Sequence, residues 1–122
     1  MVALLALAVC GCANNTLKPV EENIYPADYR TQIVDRLRIQ LENPSNIVDA
    51  YVAEPVLKTP QGTARYIACV RFNAKDRNGN YNGPRNMAAY FLSGKLTQIV
   101  DANAELCANA AFQPFPELQR PS

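Results

Sequence analysis

The chain contains no histidine and no tryptophan among its 122 residues. Lacking histidine, it lacks the commonest general base and the commonest metal ligand together, which excludes Ser-His and Cys-His nucleophile pairs. It also lacks a charge bias, with twelve basic residues scattered among eleven acidic ones. That balance argues against nucleic acid as a partner and against electrostatic attachment to an anionic lipid surface. The apolar run Val2 to Val9 is too short to span a bilayer as a helix. There is no internal repeat, and the length suits one domain that buries about two-thirds of its unfolded surface.

The chemistry that remains is sparse. Ser45 and Ser93 sit in turn contexts and Ser122 at the terminus, none with a nucleophile signature. The carboxylates that a hydrolase would need in one cleft, Asp49, Glu54, Asp76, Asp101 and Glu105, read as strand ends and turns. The stretch Asp76-Arg77-Asn78-Gly79-Asn80-Tyr81-Asn82 has oxygen-bearing side chains at alternate positions, like the first half of a calcium loop. Its sixth position is Tyr81 in place of glycine and its twelfth is Met87 in place of a bidentate glutamate, so a hairpin loop is the better reading. No metal, cofactor or catalytic residue is expected.

The N-terminal apolar run leads into Val9-Cys10-Gly11-Cys12 and then the polar Ala13-Asn14-Asn15. This resembles the lipobox of bacterial lipoproteins, where a small residue precedes the cysteine that is lipidated and becomes the mature N-terminus. The resemblance makes residues 1–11 a signal peptide, Cys12 the lipidated residue, and residues 12–25 a tether carrying Lys18, Pro19, Glu21 and Glu22. It groups the chain with small envelope lipoproteins of alpha-proteobacterial type. Ala13, in place of the aspartate associated with inner-membrane retention, implies the outer membrane, with the domain facing the periplasm. On that assignment Cys10 leaves with the signal, and Cys69 and Cys107 remain in an oxidising compartment. They are expected to form a disulfide, with a pair of buried free thiols as the alternative. A bridge closing about forty residues is worth about 3 to 4 kcal/mol in the chain-entropy model.

Residues 26–118 are expected to form the folded domain, followed by a disordered tail at 119–122. From Pro26, Tyr29, Ile33, Leu37 and Leu41 recur at four-residue spacing beside Val34, which predicts an amphipathic helix ended by Asn43-Pro44. Ile47 to Ala53 reads as a strand interrupted at Pro55, with Val56-Leu57 beyond it. Ala64 to Lys75 alternates cleanly, with Tyr66, Ala68, Val70 and Phe72 on one face and Arg65, Ile67, Cys69 and Arg71 on the other. Met87 to Leu92 and Leu96 to Val100 complete a meander around the turns at Asn78-Gly79 and Ser93-Gly94. Phe112-Gln113-Pro114-Phe115-Pro116 reads as irregular. The predicted fold is α+β: one helix packed on a three- to four-stranded antiparallel meander, with a disulfide pinning Phe112 and Phe115 over the sheet face opposite the helix.

The function expected from this pattern is non-enzymatic: a periplasm-facing lipoprotein that binds another envelope protein or supports an envelope assembly. Arg65, Ile67 and Arg71 are the candidate partner patch, or else a solvated face whose aliphatic stems cover Ile67. The alternative function is a small-ligand or inhibitor-binding module with a pocket between helix and sheet.

Overall fold

The computed structural model describes residues 23–121. The expected signal peptide, Cys10 and Cys12 lie outside the described residues. Helix α1 (Tyr29–Gln40) is followed by β1 (Asn43–Val52), β2 (Val56–Lys58), β3 (Arg65–Lys75), β4 (Arg85–Leu92), β5 (Lys95–Asp101), the two-residue β6 (Gln113–Pro114) and the one-turn α2 (Pro116–Gln119). All six strands join one antiparallel sheet in the order β5-β4-β3-β1-β6, with β2 also paired to β3.

This corrects the predicted fold class. The molecule is largely a six-stranded β fold with a short helix, not a helix on a small meander. Two prolines account for the difference. Pro55 interrupts the first strand, but the chain resumes beside β3 with Val56 opposite Ile67 and Lys58 opposite Arg65. Pro114 was read as breaking regular structure, yet it stands opposite Tyr51 at the edge of the sheet. There its missing N–H withholds nothing from the ladder, because the hydrogen-bonding groups of β1 alternate and Ala50 supplies the carbonyl that Phe115 N–H donates to at 2.9 Å.

The alternation of β3 divides the interior as its sequence implies. Ala68, Val70 and Phe72 join Met87, Ala89 and Phe91 of β4 under Ile33, Val34 and Leu37 of α1. On the other face Ala53, Cys69 and Cys107 form a second, smaller cluster covered by Ala102, Ala110 and Phe112. The Cys69–Cys107 disulfide is present, with Cα atoms 5.9 Å apart. Phe115 departs from expectation: it is fully buried on the helix side with Leu118, and only Phe112 lies over the disulfide face. β6 runs along the sheet edge, so the tail crosses from one face to the other between these two aromatics.

The polar side of α1 binds the sheet instead of facing only water. Gln32, Arg36 and Gln40, spaced one turn apart, reach the outer edge of β5. Gln32 Oε1 accepts Leu96 N–H at 2.8 Å while its Nε2 donates to Gly94 O at 2.9 Å, and Gln40 Nε2 donates to Ile99 O at 2.9 Å. Arg36 Nη1 donates to Thr97 O at 3.4 Å. At the opposite edge, Gln119 Oε1 of α2 accepts the N–H of Ala50 at 2.8 Å. Both long edges are therefore closed by side-chain amides or short chain segments, a common protection against unwanted strand pairing. Gln119, at the start of the expected tail, is part of this closure.

Candidate functional site

The disulfide draws the segment between β5 and β6 across the face that carries Cys69. Lys58 reinforces the attachment, its Nζ donating to Leu106 O at 2.7 Å. Leu106 N–H in turn donates to Asn103 Oδ1 at 2.8 Å, which sets the turn that presents Cys107. Beyond Cys107 the segment does not rejoin the sheet until Gln113 pairs with Val52. Between β2 and residues 109–111 it leaves a half-open cavity of about 410 Å³.

Ala53, Val56, Ile67, Cys69 and Ala110 give this cavity an apolar lining, with Glu54, Lys58, Asn109 and Gln113 as its polar groups. Its volume falls in the ordinary range for ligand sites, and an apolar lining with a few polar groups is their usual composition. The cavity lies on the disulfide face, not between helix and sheet as the small-ligand reading expected. On the helix side Ile33, Leu37, Phe72 and Phe91 fill the interior with side chains almost wholly removed from solvent.

The three residues of the expected partner patch share a face of β3 but have different neighbours. Ile67 is buried and forms part of the cavity lining. Arg71 stacks its guanidinium 4.5 Å from the centre of the Phe112 ring and donates from Nε to Asn86 Oδ1 at 3.0 Å. Arg65 donates to its neighbour's carbonyl, Ala64 O, at 2.9 Å, and borders a separate hollow with Tyr90 and Gln98.

The carboxylates are dispersed. Of the five considered, Glu54 alone borders the cavity, and its Oε1 accepts the Tyr25 hydroxyl at 3.4 Å. Burial chiefly, then the nearby Glu54 charge, pushes the Tyr25 phenol above its ordinary pKa. Asp101 pairs with Arg85 at 2.9 Å on an exposed surface. Asp76 is occupied within its own loop: Oδ1 accepts Asn78 N–H at 2.8 Å and Asn80 N–H at 3.0 Å, and Oδ2 accepts Asn82 Nδ2 at 3.2 Å. The Asn80 hydrogen bond, foremost, holds its carboxyl below the usual aspartate range. The loop thus spends its best oxygen ligand on its own turn. Among the described residues no three of the cysteines and acids cluster as a metal site would require.

The cavity was not foreseen from sequence. Ile67, Cys69 and the Cys107 bridge are legible there, but residues 109–111 carry no local signal and their place beside β2 depends on where β6 rejoins the sheet. No family model matches the chain, and neither a curated protein nor a solved structure matches it.

Proposed function

We propose that this chain is a non-enzymatic binding module of the bacterial cell envelope, anchored by lipid on Cys12 and facing the periplasm. Its working surface is the cavity on the disulfide face. The observation that carries the reading is the stand-off between β2 and residues 109–111, which leaves an apolar-lined space that the fold could have closed with larger side chains than Ala110 and Ala111. The missing histidine and the dispersed carboxylates weigh on the side of binding. The lipobox-like residues Val9 to Cys12 support the anchor, and more than one acyl chain is what makes such an anchor stable.

The test is mild crosslinking in native membranes followed by detergent extraction, comparing the wild-type chain with Ala111→Trp, a change at an exposed cavity residue. A discrete complex seen with the wild type and lost in the variant supports the reading. Recovery of the protein uncomplexed in both cases overturns it.

A further inference from the structure

Resting on that reading of the cavity, we propose that its ligand is an extended peptide segment of a partner protein, which adds as a strand to the outer edge of β2. The hydrogen-bonding pattern of the sheet identifies the edge. Ala53 N–H donates to Cys69 O at 2.9 Å, so the polar backbone groups of Cys69, and by alternation those of Ile67 and Arg65, face β1 and β2. Val56 and Lys58, opposite Ile67 and Arg65, direct their own groups to β3. The N–H and C=O of Leu57 consequently point outward, on the side where residues 109–111 stand away.

This edge differs from the others. α1 closes β5 through Gln32, Arg36 and Gln40, and β1 is closed by β6 and Gln119. β2 pairs with β3 alone and leaves Val56 and Leu57 about half exposed, at 52% and 49%. The ladder between β1 and β6 stops at Val52 opposite Gln113, and Gln113 itself lines the cavity. An incoming strand therefore extends an interface that the chain already makes with its own tail. Its backbone meets Leu57, and an alternate aliphatic side chain enters the lining formed by Val56, Ile67 and Ala110. This is strand addition, in which main-chain bonds give affinity and a pocket for alternate side chains gives preference. A second copy of this chain is the poorer occupant, because it would bring a whole sheet against residues 109–111, whereas a single extended peptide brings one strand.

The experiment is amide NMR on the isotope-labelled full chain in detergent, with three probes: acetyl-Thr-Val-Ser-Val-Thr-amide, the same peptide N-methylated at its serine, whose backbone faces Leu57 when the two valines lie on the cavity side, and decanol. The unmodified peptide is expected to shift amides of residues 54–59 and 109–113 and to slow exchange of the Leu57 amide. The N-methylated peptide is expected to bind about tenfold more weakly, the effect of losing one or two backbone hydrogen bonds. Leu57→Pro, which removes the outward donor while leaving the Val56 and Lys58 bonds to β3, should weaken the unmodified peptide similarly and leave decanol unaffected. Equal binding of the two peptides overturns strand addition. Decanol shifts without peptide shifts overturn the peptide ligand while the cavity reading stands, and silence from all three probes removes both.

Discussion

Asp49 adopts φ 54° and Asn46 φ 57°, left-handed conformations in the middle of a strand. They fall where the pairing of β1 with β3 shifts register, between Asn43 and Val48 and again between Val48 and Tyr51. Aspartate and asparagine tolerate this region better than other residues with side chains, which is why a bulged strand can be built here. Replacing Asp49 with glycine should leave stability within a few tenths of a kcal/mol or raise it, whereas Asp49→Val should cost about 1 to 3 kcal/mol. Urea denaturation of both variants checks this. Asp76 makes a second residue-scale prediction, with a pH dependence. Its carboxyl is lowered in the fold, so its contribution is present above the unfolded aspartate value and lost as pH falls through the lower, folded one. The stability difference between wild type and Asp76→Asn should therefore shrink as urea midpoints are followed from pH 6 to about pH 2. A difference that grows toward acid would contradict the hydrogen-bonding pattern of the loop.

At the scale of elements, β3, β4 and β5 were legible because period-two alternation and strong turn residues act locally. The helix was legible for the same reason, although α1 begins at Tyr29 after a turn in which Tyr29 N–H donates to Pro26 O. What the sequence did not disclose is pairing between distant segments. Nothing local in Gln113-Pro114 announces a strand; these two residues become one because β1 offers an edge and the Cys69–Cys107 bridge delivers the chain to it. Nor does the spacing of Gln32, Arg36 and Gln40 reveal that this polar face will cap β5. The disulfide itself was expected, and its sequence separation of 38 implies about 4 kcal/mol of stabilisation in the chain-entropy model. Replacing Cys69 and Cys107 together with alanine should lower the unfolding free energy by about 2 to 4 kcal/mol. The loss should be accompanied by faster amide exchange across residues 103–112, with α1 much less affected.

For the whole molecule, the tail is what distinguishes this fold from the simpler predicted one. It covers part of the disulfide face with Phe112, runs along β1, and then fills the helix side with Phe115 and Leu118. Arg30 follows it there, its guanidinium 5.4 Å from the Phe115 ring and 3.0 Å from Glu117. Phe115→Ala should therefore cost about 3 to 5 kcal/mol, the usual range for a buried aromatic, while Phe112→Ala should cost distinctly less. Comparable losses in calorimetry would contradict the deeper burial of Phe115. The candidate site was only partly legible: Ile67 and Cys69 were singled out and do border the cavity, but the polar rim depends on tail residues brought there by long-range pairing. The proposed place of this module in the cell envelope depends on export and anchoring. The most direct test is the intact mass of the protein extracted from its native membrane, before and after reduction, beside Cys12→Ala. The expected mass is that of residues 12–122 plus acyl chains, gaining two hydrogens on reduction, with the lipid absent from the variant. An unmodified full-length mass would contradict the lipid anchor and, with it, the placement of this domain in the periplasm.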